Sequence, residues 1–211
     1  MAQEILRDYP DLLNTSMQTL AKPGFAEQTI NKSRFIAAAS HCESEREVGA
    51  FLRALAAQHQ NAHHLAYAFR IKTLDGLGNH MIVPRFSDAG EPSGTAGKPV
   101  LQMLEGQKLI NVAVGVIRYY GGINLGMGGL ARAYGGTAKM ALDAAIIAPF
   151  LEMQQISITI SYRQVDALTR ELAKLNGQIL EKTFDNAAHF VVKLPVIKVQ
   201  AFVQQFNKTI S

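Results

Sequence analysis

Asn111-Val112-Ala113-Val114-Gly115-Val116-Ile117-Arg118-Tyr119, followed by Tyr120-Gly121-Gly122-Ile123-Asn124-Leu125-Gly126-Met127-Gly128-Gly129-Leu130-Ala131, reads as a strand, a glycine loop and the start of a helix. Apolar residues fall on both parities of Asn111 to Tyr119, the pattern of a strand covered on both faces. Beyond the glycines, Ala131, Tyr134, Ala138, Ala141 and Leu142 carry the helix onward. Of the 17 glycines in the chain, 14 lie between Gly76 and Gly136, so tight turns or close backbone approaches concentrate around this stretch.

Upstream, Phe25 to Ser40 reads as two short strands broken at Asn31 and Lys32. Glu43 to Gln58 reads as a helix: Val48, Phe51, Leu52 and Leu55 recur at three- and four-residue steps, and Glu43, Glu45, Arg46 and Glu47 crowd its first turns. His64 to Lys72 and Met81 to Phe86 suit strands, and a short helix is expected from about Pro99 to Leu104. Downstream, Pro149 marks a change of composition. Ile156, Ile158 and Ile160 alternate with Ser157, Thr159 and Ser161, as in a strand buried on one side. Val165, Leu168, Leu172 and Leu175 form a helical stripe stopping at Asn176-Gly177. Strands over Gln178 to Phe184 and His189 to Leu194 and a helix started by Pro195 complete a β-α-β-β-α order. That order predicts a ferredoxin-like module without its final strand, Ser211 standing where the strand would begin. The expected organisation is α+β, with an N-terminal extension over 1–22 and domains over 23–148 and 149–211.

The 211 residues are 48% hydrophobic and 18% charged, enough to bury a core. The one cysteine, Cys42, supplies neither an internal disulfide nor a cysteine zinc cluster, and a reducing cytoplasmic setting is the default expectation. Met1 to Leu20 carries Glu4, Asp8, Pro10 and Asp11, unlike a signal peptide, and no stretch is long and apolar enough to predict a membrane span. A formal net charge of +4 permits nucleic-acid binding without demanding it.

The loop Ser87 to Pro99 fails as a P-loop, because Pro92 and Pro99 stand where a glycine and a hydroxyl residue are needed. Gly126-Met127-Gly128-Gly129-Leu130-Ala131 formally satisfies a dinucleotide fingerprint. It does not directly follow a strand, and Asp143 lies in the continuing helix, so no nicotinamide or flavin is expected. From Gly106 to Leu142 there is no acidic residue, while Lys108, Arg118, Arg132 and Lys139 are present beside glycines at a helix start. This predicts an anion- or nucleic-acid-contacting surface of Arg118, Tyr119, Gly121, Gly122, Asn124, Gly128, Gly129, Arg132 and Lys139, with Tyr119 and Tyr120 as stacking candidates. The alternative is that the glycines serve close packing and the tyrosines sit half in the core. Ser87, Asp88, Gly90, Glu91, Ser93, Gly94 and Lys98 form a second motif loop. Its acids and hydroxyls can equally cap turns. His63 and His64 lack the spacing of a metal or triad site, Cys42 lacks a nucleophile signature, and no catalytic residue, metal or cofactor is expected.

Three segments carry a family resemblance: Lys32-Ser33-Arg34-Phe35-Ile36-Ala37, Ser87 through Pro99, and Val116 through Tyr134. Together they resemble the YigZ/IMPACT family, in order from about Phe25 to the C-terminus, with Met1 to Leu20 unexplained. The resemblance implies an N-terminal domain similar to ribosomal protein S5 domain 2 and elongation factor G domain IV, and a C-terminal domain similar to that factor's domain V. It further implies RNA, the ribosome or translation factors as partners, with no established reaction. The eukaryotic members look like regulators of the translation stress response that use an additional RWD domain, and that partner network does not carry over. Asn124 replaces the family's usual lysine, and Met127 a commonly small or hydroxylated residue, leaving the loop more apolar. The leading expectation is therefore a non-enzymatic RNA- or ribosome-binding protein in translation control. The alternatives are an enzyme or binder of a small phosphorylated metabolite at the Ser87 to Lys98 loop, and a protein-interaction module.

Overall fold

The structure, a computed structural model, describes residues 17–74, 76–77 and 79–207. The expectations for Met1 to Leu20, as far as residue 16, and for the chain beyond residue 207 lie outside the described residues.

Asn31 and Lys32 both take positive φ, 44° and 62°, and this two-residue turn joins β2 (Gly24–Ile30) to β3 (Ser33–His41) as a hairpin. Helix α1 (Glu45–Gln58) then crosses over to β4 (His64–Leu74). Its start is fixed by Ser44, whose hydroxyl accepts from the Glu47 N–H, so the helix begins two residues later than the acidic run suggests. The order continues through β5 (His80–Ser87), α2 (Gly97–Gly106), β6 (Val112–Tyr119) and α3 (Gly126–Ala144). The five strands form one antiparallel sheet in the order β2-β3-β6-β4-β5.

Helices cover both faces. Val112, Val114 and Val116 of β6 share a core with Val100 and Leu104 of α2 and Leu130, Tyr134 and Ala138 of α3. On the other face, Ala113 and Ile117 meet Val48 and Leu55 of α1. This two-sided burial accounts for the apolar residues on both parities of the central strand. A second, two-stranded sheet pairs β1 (Gln18–Lys22) with β7 (Ile146–Pro149), neither of which sequence periodicity had indicated. Both are very short, and their pairing spans almost the whole unit.

The chain divides into two compact units, residues 1–150 and 151–211. The second contains β8 (Met153–Ile160), a 3-10 turn (Tyr162–Gln164), α4 (Val165–Lys174), β9 (Gln178–Phe184), β10 (Ala188–Pro195) and α5 (Val196–Asn207). Its antiparallel sheet runs β8-β10-β9 among the described residues, the order of a ferredoxin-like module over its first three strands. Leu168 and Leu172 of α4 are buried against Ile158, Ile160 and Phe190. Asn176 at φ 53° and the Gly177 N–H bonded to the Leu172 carbonyl oxygen at 2.8 Å close α4 as expected. Pro195 proves to be the last residue of β10 rather than the first of the helix.

Candidate functional site

Arg118 continues the inward row of Val112, Val114 and Val116, so the strand's pleat carries its side chain under α3 and leaves it 5% exposed. A buried guanidinium needs a carboxylate, and Glu91 of the loop after β5 supplies one: Arg118 Nη1 donates to Glu91 Oε1 at 2.7 Å, with the Glu91 side chain 4% exposed. The Tyr134 hydroxyl of α3 donates to the same oxygen at 2.8 Å. Arg118 Nη2 lies 3.3 Å from Ser33 Oγ, which also accepts the Gly121 N–H at 3.2 Å. The guanidinium lies 5.5 Å from the Phe35 ring centre and 5.1 Å from that of Tyr120. Burial pushes the Tyr134 hydroxyl above its ordinary titration range, and its bond to Glu91 pushes it further. The three sequence segments that carry the family resemblance thus meet in one network: Glu91 from the second accepts from Arg118 and Tyr134 of the third, and Ser33 from the first accepts from Arg118 and Gly121.

Asp88 turns inward as well. Its carboxylate accepts the N–H groups of Gly94 at 2.8 Å, Ala96 at 2.9 Å and Gly97 at 2.8 Å, which binds the loop to the start of α2. Burial raises its carboxyl pKa, but the backbone donors, Lys98 included, outweigh burial and hold it below the ordinary aspartate value. Ser87 Oγ accepts the Ala89 N–H at 3.3 Å, and Ala89 and Gly90 take φ of 50° and 86°. Gly97 lies so close to the Ser87 backbone that an added Cβ would come within 2.5 Å of the Ser87 carbonyl oxygen. Gly121 packs more tightly still, a Cβ there falling 2.1 Å from Lys32 carbonyl atoms. Close approach therefore explains these two glycines without any ligand.

The predicted anion surface is rearranged accordingly. Arg118 is not a surface cation, since its charge is spent on Glu91. Lys139 is exposed but holds Asp143 one turn on, at 2.6 Å, an acid just past the uncharged window read from the sequence. Tyr119 is half-buried, its hydroxyl 3.1 Å from His59 Nδ1 and its ring 5.7 Å from the Arg34 guanidinium. Tyr120 is 39% exposed and donates its hydroxyl to Asn124 Oδ1 at 3.0 Å. Gly122, Asn124 and Gly128 are exposed and Gly129 half-buried around the start of α3, whose first turn has neither a side-chain cap nor an acid. Among the described residues Lys32, Lys98 and Arg132 are exposed and hold no ion pair. In the motif loop, Ser93 is exposed while Gly90 and Gly94 shape the backbone at positive φ.

Sequence reading gave Ser33 and Tyr134 no role and weighed His64 only as a metal or triad residue. His64 Nδ1 lies 2.8 Å from the Ala89 carbonyl oxygen, which can only accept, so the proton sits on Nδ1 while Nε2 faces Glu91 Oε1 at 3.9 Å. His63 Nδ1 accepts the Tyr120 N–H at 3.2 Å, so the two histidines serve different partners. A signal for the Arg118 network was nonetheless present. A cation inside a strand apolar on both parities must be buried, and with no acid from Gly106 to Leu142 its partner had to come from another loop.

Between β2 and α3 lies a groove of about 480 Å3. Gln28, Ile30 and Asn31 line its strand side, and residues from Leu125 to Met140, with Gly129, Ala133 and Gly136 as its floor and Arg132 beside them, its helix side.

The description "Impact N-terminal domain" matches residues 31–142, and "Domain of unknown function (DUF1949)" matches residues 158–209. An IMPACT family member of Haemophilus influenzae is 34% identical over 182 residues, 86% of each chain. IMPACT family member YigZ of Escherichia coli is also 34% identical, over 86% of this chain and 87% of its own. A crystal structure of a hypothetical protein aligns with a TM-score of 0.63 at 32% identity, covering 92% of both chains.

Proposed function

As the chain belongs to the IMPACT family, we propose that it is a non-enzymatic binder of RNA or the ribosome that takes part in translation control through the loop end of its first unit. One observation carries this reading: both carboxylates of the motif loop turn inward, Asp88 onto backbone N–H groups and Glu91 onto Arg118, while Lys32, Lys98 and Arg132 stay exposed without an acidic partner. A phosphate backbone meets such a surface with attraction and no like-charge penalty, and each contact releases counterions. The uncapped, acid-free first turn of α3 adds backbone donors of the same sign.

The same inward turn weighs against a small phosphorylated metabolite on the Ser87 to Lys98 loop, because Asp88 and Glu91 are already engaged within the protein.

Co-sedimentation with ribosomes and RNA at low and moderate salt tests the reading. Salt-sensitive binding is expected, with the slope of log affinity against log salt reduced by about 2 in a Lys32→Gln/Lys98→Gln/Arg132→Gln variant, roughly 0.7 per lost contact to a single strand. Absence of binding at low salt defeats the proposal. Binding that survives nuclease and high salt assigns the surface to protein partners instead.

A further inference from the structure

The groove between β2 and α3 is a built feature that the family matches leave unassigned. Gly129, Ala133 and Gly136 follow at three- and four-residue steps and so give the helix side a low floor, which Leu125 and Met140 close at its two ends. Two small polar groups stand opposite. Gln28 is fixed by donating Nε2 to Thr137 Oγ1 at 2.7 Å, so its amide orientation is set and its Oε1 takes no donor from the described residues. Asn31, held in the hairpin turn at φ 44°, has a side-chain amide with no hydrogen-bond partner among the described residues. Among the described residues, the only charged one lining the groove is Arg132, which is exposed and holds no ion pair.

A low floor of glycine and alanine between the apolar side chains of Ile30, Leu125 and Met140 accepts a flat ring, a fixed amide and a free amide can read a ring edge, and one cation beside them suits one phosphate. A volume of about 480 Å3 falls in the range of small-ligand sites and exceeds what a base requires. Sequence-sensitive RNA recognition works on such unstacked bases, whose edges are open to hydrogen bonding. We propose that this groove takes one unstacked nucleotide of single-stranded RNA, its base lying along Gly129, Ala133 and Gly136 within reach of Gln28 and Asn31, and its phosphate on Arg132. The proposal rests on the RNA-binding reading above and specifies it: the partner is single-stranded at this point, and duplex RNA does not fit.

Fluorescence anisotropy with the full chain and labelled 12-nucleotide RNAs separates the two levels of the claim. Single-stranded RNA is expected to bind at least about ten-fold more tightly than duplex of the same length. Gly136→Leu fills the groove, and a Cβ there meets nothing nearer than Gln28 Nε2 at 3.8 Å, so the backbone has room for it. This variant should lose the preference for single strands while retaining its thermal transition. Arg132→Gln, a surface change, should lower the salt slope by about 0.7. Equal binding of duplex and single strand, or an unchanged preference in Gly136→Leu, overturns the groove assignment and leaves the RNA reading standing. No RNA binding by the unaltered protein at low salt removes both. A mononucleotide that competes as well as the 12-mer overturns the RNA source and makes the groove a free-nucleotide site.

Discussion

Replacing Glu91 by alanine should destabilise the first unit by about 3–5 kcal/mol, the cost of leaving one member of a buried ion pair alone. Arg118 is 5% exposed and Glu91 is its only carboxylate partner among the described residues, while Tyr134, wholly buried, loses the acceptor of its hydroxyl in the same step. The two losses share one oxygen and do not add, so the upper end of the range is a ceiling. For a unit of this size, each kcal/mol lowers Tm by roughly 2–4 °C, giving a drop of about 6–20 °C. The chain has no tryptophan, so urea and thermal melts at pH 7 are followed by far-ultraviolet circular dichroism, with the two units fitted as separate transitions. Glu91→Gln keeps an acceptor and should cost less. The double change Glu91→Leu/Arg118→Met removes both charges and should recover most of the loss, because a buried pair replaced by apolar residues of similar volume is often neutral. A loss below about 1 kcal/mol in Glu91→Ala would show that solvent reaches Arg118, and would refute the account of why this arginine cannot serve as a surface contact.

The remaining expectations concern single groups. The Asp88 carboxyl is depressed in the folded state, so its contribution is fully present above the unfolded aspartate value near 3.8 and is lost as pH falls below it. Asp88→Asn should therefore lower stability at neutral pH and flatten the acid limb, read from melts between pH 2 and 7; an unchanged acid limb counts against the capping role. Gly121→Ala places a methyl 2.1 Å from the Lys32 carbonyl and should cost at least about 2 kcal/mol in the same melts, whereas a neutral result would mean that the hairpin turn yields freely. Cys42 is 2% exposed and burial raises its thiol pKa to about 11, so it should resist a disulfide reagent at pH 8 until denaturant is added. Fast labelling of the native protein would contradict that.

Where local pattern decides structure, the sequence was readable. Ile158 and Ile160 face the second core as their alternation predicts, Leu168 and Leu172 line the inner face of α4, and Asn31-Lys32 makes the turn where the strands break. The family resemblance, the α+β class and the two-unit organisation hold as well. What failed to show was non-local. The strands Gln18–Lys22 and Ile146–Pro149 are too short to display a period, and only their pairing gives them order. The cations from Lys108 to Lys139 look alike in sequence, yet the fold buries Arg118, pairs Lys139 with Asp143 and leaves Arg132 free. Exposure of a charge depends on which strand face it occupies and which distant loop returns to meet it, and neither is set by its immediate neighbours.

The convergence on Glu91 Oε1 also bears on motion. Loop 88–96 and the β6–α3 connection are joined through one oxygen, by way of Arg118, Tyr134 and the Ser33 hydroxyl that holds Gly121. Lifting loop 88–96 leaves Arg118 as a buried charge without its carboxylate, and the Ser33 hydroxyl bound to Arg118 also holds Gly121, so opening of that loop loosens the β6–α3 connection with it. Amide protons around Gly121 should accordingly be no better protected than those around Gly94, and a ligand resting on loop 88–96 would slow exchange in both.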